Sequence, residues 1–154
     1  MDVHTLSFVF PDIKEVQWYV SANHAGGYSY RLCKMPKGGI IDLSEECFQE
    51  NQLDFVGDDQ WVIYANPGHE NDHREEVKAK RTTEGTYPAG SMWTANPVYP
   101  HQEEGGSKDR GHGHIVDMVK VPGHLEPGEY VLGFRWDSKC SPQVWTSCAN
   151  IEIY

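Results

Sequence analysis

Eight histidines in a chain of 154 residues with a net charge of −10 make metal binding the first chemistry to consider. Three groups have suggestive positions: His24 alone, His112 with His114, and His69 with His73. His112 and His114 are two residues apart, so in an extended segment their rings point to the same side and can meet one Zn²⁺ or Cu²⁺ ion. From the residues alone, solvated loops are the simpler explanation of both pairs.

His24 differs from these pairs because it lies between two apolar segments, residues 16–21 and 28–33. This position indicates the mouth of a β-hairpin, where a histidine is either a metal ligand or a hydrogen-bonded structural residue. The residues by themselves leave both roles open.

The four cysteines are Cys33, Cys47, Cys140 and Cys148. An even number suits two disulfides, and three connectivities are possible. A four-cysteine zinc site requires closer spacings than these. The cysteines therefore indicate disulfides and, with them, a secreted or extracytoplasmic location. Because the sequence shows no N-terminal signal peptide, reduced thiols in an intracellular protein stay open as the alternative.

Other catalytic motifs are missing from the sequence: it has no Gly-x-Ser-x-Gly, no phosphate-binding loop and no dinucleotide fingerprint. Adjacent acidic pairs such as Glu45-Glu46 are most simply solvated surface. The net charge of −10 argues against nucleic acid as a partner, and no apolar run is long enough to span a membrane.

The elements that must position these side chains are short and rich in Val, Ile, Tyr, Phe and Trp. Predicted strands cover residues 5–10, 16–21, 28–33, 53–56, 60–64, 115–121, 129–136 and 144–153. In residues 130–136 large apolar side chains occupy every second position, as they do in a strand with one buried face. Ser44 is placed to cap one short helical turn. The pattern predicts an all-β fold, an antiparallel β-sandwich of the immunoglobulin or fibronectin kind with long loops.

Residues 65–113 are polar and contain four prolines and Gly105-Gly106. We expect a long loop region there, with one strand near residues 87–93. Both flanks have the pattern of strands, which predicts one sandwich domain over residues 1–154.

Two sequence elements resemble those of a known family. Asn23-His24 followed by Tyr30-Arg31-Leu32-Cys33, and Gln143-Val144-Trp145 followed by Cys148, are similar to the copper-histidine segment and the last strand of lytic polysaccharide monooxygenases, especially the group of invertebrates and algae. The resemblance covers about residues 16–56 and 115–153.

The resemblance implies a copper cofactor with His24 as a metal ligand. It also implies that Trp145 occupies the axial position beside copper and that Gln143 forms a hydrogen bond toward the oxygen species. The family resemblance favours the pairings Cys33 with Cys47 and Cys140 with Cys148. The expected partner is a polysaccharide such as chitin or cellulose, and Tyr28, Trp93 and Tyr99 are the candidate sugar-stacking residues.

The family's copper site uses an N-terminal histidine as its first ligand, whereas this chain begins with Met1. The sequence therefore leaves two functions open. The first is a lytic polysaccharide monooxygenase-like domain whose catalytic competence depends on a missing ligand. The second is a non-catalytic carbohydrate-binding or structural subunit of a larger protein assembly.

Overall fold

The computed structural model describes residues 6–8, 12–64, 74–97, 113–139 and 141–154, with the backbone alone for residues 6–8 and 64. Within these residues the chain forms twelve strands, one short α-helix and one 3₁₀ turn. The strands form two sheets, and the predicted β-sandwich is confirmed.

The first sheet contains seven strands in the order β1-β12-β11-β3-β9-β8, with β4 beside β3. Its strands are β1 (Leu6–Phe8), β3 (Gly27–Lys34), β4 (Asn51–Gln52), β8 (Arg81–Thr82), β9 (Trp93–Ala95), β11 (Gly128–Asp137) and β12 (Val144–Ile153). All its pairs are antiparallel except β1 with β12, which is parallel. The long β11–β12 hairpin lies between β1 and β3 and pairs Trp136 with Trp145.

The second sheet contains five strands in the order β2-β10-β6-β7, with β5 beside β10. Its strands are β2 (Ile13–Val20), β5 (Asp54–Phe55), β6 (Asp59–Tyr64), β7 (Arg74–Lys78) and β10 (Gly113–Lys120). All its pairs are antiparallel. Strand β2 alternates strictly between exposed and buried residues after Lys14, as expected for a strand with one face on a core.

The core between the sheets is built from the alternating apolar residues seen in the sequence. Trp18 of β2 packs on Tyr28 of β3 and on Phe134 and Trp136 of β11, with ring centroids 4.9 to 5.3 Å apart. These contacts join the second sheet to the first. Aromatic pairs at such distances add stabilisation beyond the apolar area that they bury.

One acidic side chain is buried in this core. Asp117 of β10 is fully buried, and its Oδ2 accepts a 2.6 Å hydrogen bond from the hydroxyl of Tyr28. Arg81 lies 3.5 Å from the other carboxylate oxygen. Burial raises the pKa of Asp117 to about 6, because the charged carboxylate loses its hydration, while Tyr28 and Arg81 offset part of this effect.

The helix α1 (Glu45–Glu50) lies on the other face of the first sheet. The predicted cap is present, because the Ser44 hydroxyl accepts a hydrogen bond from the Cys47 amide. The predicted disulfide Cys33–Cys47 joins β3 to this helix, with the two Cα atoms 5.2 Å apart. On chain-entropy grounds, closing a loop of this length stabilises the fold by about 3 kcal/mol.

The stretch 65–113 contains more regular structure than the sequence indicates. Its described part, residues 74–97, holds β7, β8 and β9. Strand β7 escapes prediction because it is short, and its five residues include four that are charged. None of the described helices is long and apolar enough to cross a membrane.

Candidate functional site

Strands β3, β11 and β12 of the first sheet begin or end at the same edge of the sandwich. A cleft separates the two sheets beside this edge. In the β3–β11–β12 ladder, Gly27 pairs with Asp137 and Asp137 pairs with Val144, so β3 begins where β11 ends and β12 begins. The segment that follows β2 carries His24 to this end. A cleft of about 710 Å³ opens here between the first sheet and β2.

Aromatic and imidazole rings line much of this first cleft. They are Trp18, Tyr19, His24, Tyr30, His114, Phe134, Trp136 and Trp145. Strand β2 is the edge strand of the second sheet, and no described strand lies beyond it to cover β12. Residues 144–150 of β12 are all exposed.

The loop that carries His24 is held by hydrogen bonds on both sides. The Asn23 side chain accepts from the Ala25 amide (2.9 Å) and from the Asn96 side chain (3.1 Å), and it donates to the Pro97 carbonyl (3.0 Å). Ala25 has a positive φ of 53°, which forms the sharp turn after His24. These bonds fix the backbone, while the His24 side chain is in an exposed position.

His24 and Trp145 lie in the same cleft, and Trp136 contacts both. The Trp136 indole stacks on the His24 ring and on the Trp145 ring, each with centroids 6.1 Å apart and planes within 28°. Its Nε1 donates a 2.8 Å hydrogen bond to the Ala25 carbonyl. Trp136 is buried and Trp145 is about half exposed, at 47%. The buried indole therefore supports both the imidazole and the exposed indole.

The other residue predicted for catalysis, Gln143, has a different environment. Its side-chain oxygen accepts a 3.1 Å hydrogen bond from the Ser141 hydroxyl, and its backbone carbonyl accepts one from the Ser138 amide. Gln143 is not among the residues that line the first cleft. Its described contacts organise the β11–β12 turn.

His114, one of the histidines singled out in the sequence, lines the same cleft as His24. It is half-buried on β10, and its ring lies 5.2 Å from the ring of Tyr19. His112, His69 and His73 lie outside the described residues, so their predicted roles stay predictions. Among the residues that the structure describes, no three His, Cys, Asp or Glu side chains gather into a metal-binding group.

This donor set fits copper only in part. Imidazole nitrogen suits copper, and the first cleft offers His24 and His114. A complete site needs at least one more donor than the described residues bring together. The described residues therefore support no oxidation step through copper.

The two predicted disulfides have different outcomes. Cys33–Cys47 is formed, whereas Cys148 is exposed and has no disulfide partner among the described residues, so the second pairing stays a prediction. Its predicted partner, Cys140, lies outside the described residues. Cys148 pairs with Gly133, four residue pairs from the Asp137–Val144 end of the hairpin, and burial raises the pKa of its thiol. This distance along β12 removes Cys148 from the hairpin turn.

The three residues predicted to stack on sugar rings also have different outcomes. Tyr28 is fully buried, so the prediction that it is exposed for stacking is wrong. It lies on β3, whose two edges are covered by neighbouring strands, and it faces the second sheet. Trp93 is half-buried on β9 and lines a separate, second cleft. Tyr99 lies outside the described residues.

Sequence reasoning missed Trp136 as a site residue. The alternating pattern of β11 marks it as an inward-facing residue, but the pattern does not reveal a contact with His24, which is 112 positions away in the chain. The signal available was the hairpin register, since two tryptophans facing each other across a hairpin form a stacked pair.

Comparison with known proteins gives this geometry a context. No family model matches the chain. The chain is 22% identical over 161 aligned residues to an AA13 family lytic polysaccharide monooxygenase A from Pyricularia oryzae, which covers 92% of this chain and 40% of that protein. It also superposes on the AA15 lytic polysaccharide monooxygenase from Thermobia domestica, solved in the Cu(I) state, with a TM-score of 0.55 and 15% identity. That match covers 96% of this chain and 62% of the solved one.

The chain is lytic polysaccharide monooxygenase-like in sequence and fold. The predicted resemblance is confirmed at this level. The chain spans less than two thirds of the length of each of these two relatives. The activity of a whole lytic polysaccharide monooxygenase is therefore only a proposal for this chain.

Proposed function

We propose that this lytic polysaccharide monooxygenase-like chain contacts a polysaccharide with the surface around the first cleft, and that His24 is a copper ligand there. The observation that carries the proposal is the ring group of His24, Trp136 and Trp145. It presents an exposed imidazole and an exposed indole on one rim, supported by a buried indole.

Each ring has a separate task in this proposal. The Trp145 indole offers a flat apolar face on which a sugar ring can stack. The His24 imidazole offers a nitrogen donor, and its stacking on Trp136 limits the ring orientations that it can adopt. Copper, when bound, supplies one-electron redox chemistry; the described residues bind, orient and shield.

Chitin and cellulose are the polysaccharides proposed, by analogy with the group that the sequence resembles. A secreted or extracytoplasmic location is proposed with them, supported by the Cys33–Cys47 disulfide. Catalytic roles for Gln143 and Trp145 remain part of the proposal. Trp145 has no phenolic oxygen, so its contribution beside a metal is to exclude water.

Copper binding is tested by isothermal titration of Cu(II) together with electron paramagnetic resonance of the loaded protein. We expect His24→Ala to weaken Cu(II) binding at least tenfold and to change the spectrum. The matched control is His124→Ala, because His124 is also exposed but lies in the β10–β11 connection, at the opposite end of the sandwich. Equal Cu(II) affinity of the wild type and His24→Ala would refute the metal role.

Polysaccharide binding is tested separately by sedimentation with insoluble chitin and cellulose. Trp145→Ala is expected to reduce the bound fraction, whether or not copper is present. A second candidate function, binding without oxidation, is favoured by one observation: the described residues gather no group of three metal donors. It predicts that the wild type binds polysaccharide but produces no hydrogen peroxide with copper and a reductant.

A further inference from the structure

A second cleft, of about 430 Å³, opens beside the first sheet on the other side of the His24 loop. It is formed by the start of β3, the end of β11, and the β8–β9 hairpin with its long turn. Gly26, Gly27, Glu84, Tyr87, Trp93 and Asp137 are among the residues that line it. The proposed function above does not account for this cleft.

Two aromatic side chains face the second cleft. Tyr87 is 69% exposed, a large exposed fraction for an aromatic ring in a folded protein. Trp93 is half-buried, and its Nε1 donates a 3.1 Å hydrogen bond to the Ser91 hydroxyl, which fixes the orientation of the indole. Backbone bonds such as Ser91 amide to Pro88 carbonyl (2.9 Å) hold the turn between them. The cleft therefore has an accessible ring beside a fixed one.

Gly26 and Gly27 line the second cleft between these rings and β11. A Cβ atom on Gly26 would lie 2.0 Å from the Asp137 carbonyl oxygen, and one on Gly27 would lie 3.0 Å from that of Thr94. The backbone here lies too close to its neighbours for a larger residue at Gly26, so this part of the cleft wall is formed by backbone atoms.

The polar groups of the second cleft are equally balanced in charge. Lys80 and Arg135 provide two positive charges, and Glu84 and Asp137 provide two negative ones. Arg135 donates hydrogen bonds of 2.7 and 3.0 Å to the two oxygens of Asp137, so the carboxylate has one fixed orientation. In a chain of net charge −10 this balanced cleft does not select a charged ligand.

We propose that the second cleft binds one or two pyranose units of a neutral polysaccharide, with a sugar ring stacked on Tyr87. Asp137 and Glu84 accept hydrogen bonds from sugar hydroxyls. The proposal rests on the proposed function, because it assigns a further subsite to the same polysaccharide. His24 is only two residues before Gly26, so one chain of sugars can contact both clefts.

The test is titration of the protein with soluble chitohexaose and cellohexaose, followed by calorimetry. Stacking of one sugar ring on an aromatic side chain predicts that Tyr87→Ala weakens the binding of the favoured hexasaccharide about tenfold. Tyr154→Ala is the matched control: Tyr154 is 57% exposed and follows β12 at the opposite end of the sandwich. It is expected to bind like the wild type.

A second variant tests the cleft without changing Tyr87, so that its result does not depend on how Tyr87→Ala affects the local turn. Glu84→Gln keeps the shape of an exposed side chain and removes one acceptor charge, and we expect binding about threefold weaker. Wild-type affinity in Tyr87→Ala would overturn the second-cleft proposal, and wild-type affinity in Glu84→Gln would overturn the role of Glu84 as an acceptor for sugar hydroxyls. Tighter binding of an oligogalacturonate than of either neutral hexasaccharide would overturn the assignment to neutral sugars.

The two proposals fail in distinguishable ways. If Tyr87→Ala binds hexasaccharides and insoluble polysaccharide like the wild type, the second cleft is not a subsite and the proposed function stands. If the wild type binds no polysaccharide in either form, the proposed function and the subsite fail together.

Discussion

Trp136 faces Trp145 directly across the β11–β12 ladder, with the two indoles stacked at 6.1 Å and their planes 25° apart. One member of the pair is buried and the other is about half exposed. Since the buried member also stacks on His24, a change at Trp136 acts on the exposed surface of the first cleft without being part of that surface.

Trp136→Phe should weaken Cu(II) binding through the orientation of His24. Phenylalanine retains an aromatic ring in the core but loses the Nε1 hydrogen bond to the Ala25 carbonyl. We expect a loss of about 1 to 2 kcal/mol in the free energy of unfolding. Chemical denaturation and Cu(II) titration check the two effects. Wild-type copper affinity in a destabilised variant would show that Trp136 has only a structural role.

Asp117 should make the protein more stable as the pH falls from 7 to 5. Its pKa of about 6 in the folded protein lies above the ordinary value of 3.8, so the folded state binds the proton more tightly than the unfolded state. Linkage then predicts a gain of about 1 kcal/mol in the free energy of unfolding between these two pH values. The stabilising effect of protonation is complete below pH 3.8 and is lost as the pH rises through 6.

The control for this pH effect is Asp117→Asn, which cannot titrate. Urea denaturation of both proteins at pH 5 and pH 7 isolates the contribution of Asp117, because the histidines contribute equally to both. The wild type should gain about 1 kcal/mol more than the variant on acidification. Identical pH profiles would contradict the assigned pKa.

Cys47→Ser should destabilise the fold by about 3 kcal/mol, since it opens the loop closed by the Cys33–Cys47 disulfide. Cys148→Ser is the control, because this exposed thiol has no disulfide partner in the part of the chain that the structure describes, and its loss should change stability by less than about 0.5 kcal/mol. Thermal unfolding measures both effects. Maleimide labelling of the native protein, expected at Cys148 and absent at Cys47, checks the thiol states independently.

Glu45→Ala should cost about 1 to 3 kcal/mol in the free energy of unfolding, although Glu45 is itself partly exposed. Its Oε1 accepts hydrogen bonds from Arg31 (2.5 Å) and Arg135 (3.1 Å), and the Arg31 side chain is only 5% exposed. Removing the carboxylate leaves a buried guanidinium without this partner. Burial alone would raise the pKa of Glu45, but the bonds to Arg31 lower it overall.

The control is Glu46→Ala, one position further along α1 and exposed. We expect it to change stability by less than about 0.5 kcal/mol in the same denaturation experiment. An equal loss in the free energy of unfolding for the two variants would indicate a general effect on the first turn of α1. It would contradict a specific contribution of the Glu45–Arg31 pair.

Local patterns in the sequence were sufficient to predict the sandwich. Residues 129–136 and 144–153 correspond closely to β11 and β12 because period-two alternation reflects the two faces of a strand, a property of the backbone itself. The Ser44 cap was predictable for the same reason, since its hydrogen bond reaches only three residues. The charged strand β7 was not predictable from the local sequence, because its stability comes from pairing with β6.

Tertiary structure alone decided which of the predicted residues meet. Alternation shows that Tyr28 shares a face with Tyr30, but only the packing of the second sheet decides that this face is sealed from sugar. The meeting of His24, Trp136 and Trp145 depends on ladder register over more than a hundred residues. A one-residue slip would turn every side chain of β11 to the other face, so this contact belongs to the assembled sheet and to no segment of the chain.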